Sequence, residues 1–145
     1  MFAPVTALRC FIEIPKGSRN KYSYDEALGG IKLDRFLFSS VVYPADFGFL
    51  IDTEGPRQAF VLVGQPTFPG CVIEVRAIAA HGDVIICVPH QDPHWSGLED
   101  VDDIPAQLRD EIAHFLAVTR EGLAEAPGFE DSEAAQALLS TRSAG

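Results

Sequence analysis

Five of the eleven Lys and Arg residues (Lys16, Arg19, Lys21, Lys32 and Arg35) fall within residues 16–35 of a 145-residue chain whose formal net charge is −10. These are the side chains that hold anions directly, Lys as a point charge and Arg as a planar fork of donors. Such a cluster in an acidic protein reads either as a local anion site or as a solvated hairpin, and composition alone leaves both open. Other chemistry-bearing residues are less suggestive. His90 and His94 have the i, i+4 spacing of helical metal ligands, but Pro89 and Pro93 forbid the helix that would align them. His114 reads as a packed or rim residue. Cys10, Cys71 and Cys87 are too few and too scattered for a disulfide framework or a Cys-rich zinc site, which fits a cytoplasmic protein with reduced thiols. No phosphate loop, dinucleotide fingerprint or Gly-x-Ser-x-Gly elbow occurs.

The elements that must position these residues follow from periodicity. Residues 7–14 read as a strand, and residues 20–25 and 31–38 as two more joined through Leu28-Gly29-Gly30. Phe60-Val61-Leu62-Val63 is a short buried strand. Cys71 to Ile78 alternates, with Ile73, Val75 and Ala77 on one face and Glu74 and Arg76 on the other. Residues 84–88 form another strand, entered from a tight turn at His81-Gly82-Asp83. The period then changes: Ile104, Leu108, Ile112, Phe115 and Leu116 recur at helical spacing, with Asp102 and Asp103 as capping candidates and Pro105 in the first turn. Pro127-Gly128 breaks this helix, and Ser132 caps a second one through Leu139. Strands first and helices last predict an α+β, mainly β fold, with an antiparallel barrel from residues 7–88 and helices near 104–121 and 132–140 outside it.

Composition bounds the rest. With 47% hydrophobic residues the chain fits one domain, 1–145, with a real core. The net charge of −10 argues against nucleic acid as a partner, because neutralising phosphates takes an excess of Lys and Arg. No apolar run approaches the roughly 20 residues that span a bilayer, and Met1 to Arg9 has no basic region ahead of an apolar stretch.

Three motifs occur in order: Phe11-Ile12-Glu13-Ile14-Pro15-Lys16-Gly17-Ser18-Arg19-Asn20-Lys21-Tyr22, then Leu33-Asp34-Arg35-Phe36, then Tyr43-Pro44-Ala45-Asp46-Phe47-Gly48-Phe49. Together they resemble the soluble, magnesium-dependent inorganic pyrophosphatases. The likeness continues through residues 66–71, Val88-Pro89 and Ile112-Ala113-His114-Phe115, and so covers about residues 8–120. It implies a small five-stranded OB-like barrel with two flanking C-terminal helices, Mg²⁺ as cofactor, and assembly as a homo-oligomer. The reaction it implies is hydrolysis of diphosphate to two phosphates. Residue by residue, it implies that Lys21 and Arg35 hold phosphate, that Tyr43 touches it, and that Glu13 orders metal-bound water. Thr119-Arg120 stands where the family has a Tyr-Lys pair, so Arg120 joins the phosphate-binding set.

The implied metal set is thinner. Where the family carries Asp-Gly-Asp-Pro-x-Asp, this chain reads Glu54-Gly55-Pro56-Arg57-Gln58-Ala59. Glu54 stands for the first aspartate, the second falls in a gap before Pro56, and the third becomes Gln58. The family's second glutamate is Ser23 and its second tyrosine is Phe47. The hairpin between Ala80 and Val84 is shortened, leaving Asp83 one residue from a ligand position. Glu13, Glu54 and Asp83 are the metal candidates that remain. The expectation is a degenerate family member that keeps a cleft for phosphate, diphosphate or a phosphorylated small molecule, with weak or no hydrolysis. Two alternatives stand beside it. One is an active diphosphatase with a reduced metal set such as Glu13, Asp46, Glu54 and Asp83. The other is a structural or regulatory module that assembles with itself or with a true pyrophosphatase.

Overall fold

A computed structural model describes residues 8–37, 40–51, 53, 57–119 and 128–140. The strands are β1 (Leu8–Ile14), β2 (Asn20–Asp25), β3 (Gly30–Phe36), β4 (Asp46–Leu50), β5 (Arg57–Val61), β6 (Val72–His81) and β7 (Val84–Pro89). A 3₁₀ turn at Val101–Asp103, helix α1 (Ala106–Thr119), the short β8 (Phe129–Glu130) and helix α2 (Ser132–Ser140) follow. No described helix is long and apolar enough to cross a membrane.

The spatial order β1-β4-β5-β7-β6 closes on itself, because β6 pairs back to β1 with Val75 opposite Leu8 and Val72 opposite Phe11. The result is the expected five-stranded barrel, with one difference in strand direction. β5 and β7 run parallel, Ala59 opposite Ile85 and Val61 opposite Cys87, while the other pairs around the ring are antiparallel. A ring with an odd number of strands cannot alternate direction all the way round, so one parallel pair is forced. β2 and β3 form a separate hairpin that stands off the barrel.

β7 reads as a continuous apolar run, and β5 becomes one from Ala59 onward, because both faces are covered there. Cys10, Ile12, Leu50, Ala59, Val61, Val75, Ile85 and Cys87, drawn from all five barrel strands, pack into one buried cluster that fills the interior. The alternate residues Phe60, Ile86 and Val88 point outward into a second cluster, which α1 seals with Ile112, Phe115 and Leu116. Leu116 is only 3% exposed, so its apolar surface is spent on this core, whereas Val118 remains 43% exposed.

β4 escapes a simple pattern reading because Gly48 interrupts its alternation. A Cβ at Gly48 would lie 1.8 Å from the Phe11 carbonyl oxygen, so β1 and β4 approach each other only over a bare Cα. Helix ends also differ in detail from expectation. Asp100 and Asp103 form a reciprocal capping box around the 3₁₀ turn, and α1 begins after Pro105. Asp131, rather than Ser132, caps α2 by accepting the Ala134 N–H at 3.0 Å. The same Asp100 carboxylate accepts from Val101 N–H at 2.7 Å and Ser132 N–H at 3.0 Å, tying the start of α2 to the turn ahead of α1.

Candidate functional site

Lys21 and Arg35 are register partners across the β2–β3 hairpin. Adjacent strands place such partners side by side on one face, so the two cations project together. A bulge between Lys21 and Tyr22 skips Asp34 in the pairing. Asp34 instead reaches Lys21 in a 3.6 Å ion pair, with both side chains partly exposed.

The hairpin face closes over a cleft of about 220 Å³ lined by Lys21, Arg35, Leu37, Tyr43, Phe47, Gln58 and, from the last turns of α1, Phe115, Leu116 and Thr119. Tyr43 is part of the core as well as the cleft: it is buried, with its ring 4.4 Å from Phe115 and 5.7 Å from Phe47. The chain around it is fixed by two backbone bonds, Gly17 N–H to Tyr43 carbonyl at 2.8 Å and Tyr43 N–H to Ser18 carbonyl at 3.1 Å. Gly17 adopts φ +89°, which the Lys-Gly-Ser turn requires. The structure therefore brings together Lys21, Arg35 and Tyr43, three of the four residues expected to hold phosphate. Arg120 lies outside the described residues, although its neighbour Thr119 lines the cleft.

The carboxylates are placed differently. Glu13 accepts the Tyr24 N–H at 2.9 Å and lines a neighbouring cavity of about 500 Å³ with Tyr24, Glu26, Phe49 and Thr53. Burial pushes its carboxyl above the ordinary glutamate value, against the opposing pull of the Tyr24 N–H and of the Lys21 charge. Asp46 is fully buried: it accepts Lys16 N–H at 2.8 Å on one oxygen, and the Thr67 N–H at 3.1 Å with the Thr67 hydroxyl on the other. It bolts the β1–β2 turn to the loop after β5. Asp83 is exposed in the β6–β7 turn and is not in the cleft lining. Glu54 lies outside the described residues.

Mg²⁺ takes near-octahedral oxygen ligation, typically from one or two carboxylates plus phosphate and water. The donor set of the cleft is poor in what that needs. Its described lining contains no carboxylate, and among the described residues no three His, Cys, Asp or Glu side chains gather as a metal cluster. The described residues do not fit a pair of divalent cations.

Two contributions were hard to see in the sequence. Asp34 stands next to Arg35 in the chain but bonds Lys21, and only the bulge reveals why. Phe115 and Leu116 read as core, and they are, yet they also form a wall of the cleft.

Fold and cleft together define an OB-like barrel protein with a cation-lined groove between its hairpin and its first helix. A family model described as inorganic pyrophosphatase matches residues 10–143. The chain is 50% identical to the inorganic pyrophosphatase of Methanosarcina acetivorans across 72% of this chain and 70% of that one. It is 48% identical to the inorganic pyrophosphatase of Leifsonia xyli across 78% and 77%. The crystal structure of inorganic pyrophosphatase from Thermus thermophilus superposes with a TM-score of 0.83 at 31% identity, covering 95% of this chain and 90% of that one. The chain belongs to the inorganic pyrophosphatase family.

Proposed function

We propose that the Lys21–Arg35–Tyr43 cleft takes inorganic diphosphate and that the protein hydrolyses it to two phosphates, as its relatives are named for doing. The observation that carries the ligand assignment is the convergence of Lys21, Arg35 and Tyr43 on one groove of about 220 Å³. Arg35 offers five N–H donors in a fork that matches two phosphate oxygens at once, and Lys21 adds a mobile point charge from the facing strand. The family resemblance would add Arg120 to this set as a second fork. The relatives' names support hydrolysis, and of the metal candidates taken from the resemblance, Glu13, Glu54 and Asp83, Glu13 lines the adjoining cavity.

A second reading, recognition with weak or no turnover, is favoured by a specific observation: Gln58 lines the cleft where the family resemblance expects an aspartate, and the described lining has no carboxylate. Phosphoryl transfer depends on positioning and on stabilising developing charge, and general-base help alone contributes on the order of 10²–10⁴-fold. One experiment separates the readings: phosphate release from diphosphate across Mg²⁺, Mn²⁺ and Zn²⁺, with a Glu54→Ala/Asp83→Ala variant as the control for contaminating activity. Turnover in the parent that vanishes in the variant supports hydrolysis. Equal, marginal release from both, alongside calorimetric binding of diphosphate, supports recognition without turnover.

A further inference from the structure

We propose that the cleft binds its diphosphate anion without a bridging divalent cation, and that Gln58 serves the anion directly by donating its side-chain amide N–H; this rests on the diphosphate reading above. A metal-bridged site needs anionic oxygens beside the phosphate, because they hold the ion. A direct site needs donors and no carboxylate, because an unscreened carboxylate repels the ligand. The cleft is of the second kind. Lys21, Arg35, Tyr43 and Gln58 are all N–H or O–H donors, and the described lining offers no carboxylate.

Gln58 is placed for this role by its strand. Along β5, Ala59 and Val61 point into the barrel, so Gln58 and Phe60 face outward. Phe60 packs under α1 with its ring 4.8 Å from Phe47, and Gln58, one step toward the strand's start, reaches the cleft. A carboxylate at this position would face Lys21 and Arg35 and cancel part of the field that attracts an anion. An amide keeps nearly the same shape, adds two donors and leaves that field intact.

Among the described residues, three carboxylates of the hairpin and the strands beside it are committed to the protein. Glu13 holds the Tyr24 N–H, Asp46 is buried against Lys16 and Thr67, and Asp34 is paired with Lys21. Recognition and turnover thereby become separable: whatever a metal contributes to chemistry, the anion is held without it.

The test is calorimetric titration of inorganic diphosphate into the full chain in excess EDTA and again in excess Mg²⁺, for the parent, Gln58→Glu and Gln58→Met. The expected result is saturable binding by the parent in EDTA, weakened at least tenfold by Gln58→Glu and by a smaller factor by Gln58→Met. Affinity of the Glu variant should recover when Mg²⁺ is added. Parent binding seen only with Mg²⁺ overturns this proposal while leaving the diphosphate reading intact. No parent binding under either condition removes that reading and this proposal with it. Parent binding in EDTA that both variants share unchanged removes Gln58 from the site. Gln58 is exposed, so neither substitution removes core packing, and matched thermal melting of parent and variants is the folding control.

Discussion

Asp34 holds Lys21 in a 3.6 Å ion pair even though the register partner of Lys21 is Arg35. The pair sits at the rim of the cleft, so an arriving anion competes with Asp34 for the same ammonium. Exposed pairs of this kind are worth about 0.2–1 kcal/mol. Asp34→Asn should therefore tighten diphosphate binding by up to about fivefold, with a steeper dependence on salt. Calorimetry showing unchanged or weaker binding would mean that Lys21 serves Asp34 rather than the ligand.

Arg35→Ala should weaken diphosphate binding by about tenfold or more, since hydrogen bonds to charged groups contribute roughly 1.5–3 kcal/mol. Arg35→Lys should recover only part of the loss, because a point charge cannot reproduce the fork. Equal affinities for the Ala variant and the parent would place the anion elsewhere.

Gly48→Ala should destabilise the barrel strongly. The new Cβ would meet the Phe11 carbonyl oxygen at 1.8 Å and the Phe11 carbonyl carbon at 2.8 Å, and backbone cannot swing aside as a side chain can. Overpacking typically costs about 1–3 kcal/mol, and this case belongs at the upper end. A thermal midpoint within a degree of the parent would show that β1 can retreat from β4.

Cys10 and Cys87 should resist alkylation in the native protein, whereas the half-buried Cys71 should react first. Burial raises both inner thiols, Cys10 further through its neighbour Cys87, and Cys87 to about 12. A folded pKa above the unfolded value costs nothing while both states stay protonated. Stability then falls as pH rises from the ordinary thiol range toward 12, because the unfolded chain sheds its protons first. Iodoacetamide labelling followed by peptide mapping reads the order directly. Early modification of Cys87 would contradict a closed barrel.

Asp100 should stabilise the C-terminal region in a pH-dependent way. The Val101 N–H and then the Ser132 N–H lower its pKa. A depressed carboxyl contributes stability above its unfolded value and loses it as pH falls through the folded value. Asp100→Ala should lower the melting temperature at neutral pH, with the gap to the parent closing below the ordinary aspartate value of about 4. A gap that persists in strong acid would point to packing rather than charge.

Much of this was legible in the chain. The cation pair could be read because Lys21 and Arg35 sit in strands whose turn, at Leu28-Gly29-Gly30, is marked by glycine. α1 was readable because Ile112, Phe115 and Leu116 repeat at helical spacing, and its buried face agrees. The parallel β5–β7 pair was not, because direction is a property of the closed ring and no single strand encodes it. The partner of Lys21 was hidden for a related reason: a bulge shifts pairing by one residue without any signature in Asp34 itself. Glu13 reads as a site residue by its motif, yet whether its carboxylate enters the cleft or the adjoining cavity depends on the path of β2 past β1.

Closure of the ring also dictates a sequence of events in time. β1 finds its second partner between 61 residues (Phe11 to Val72) and 67 residues (Leu8 to Val75) downstream. During synthesis the first strand made must wait for β6 to emerge, presenting an unpaired edge in the interval. Contacts so distant along the chain are slow to form, because loop entropy is lost before pairing compensates for it. The earliest strand thus waits longest for its second partner, and β7, made after β6, seals the ring between β5 and β6, so the protein's exposure to aggregation spans that whole interval.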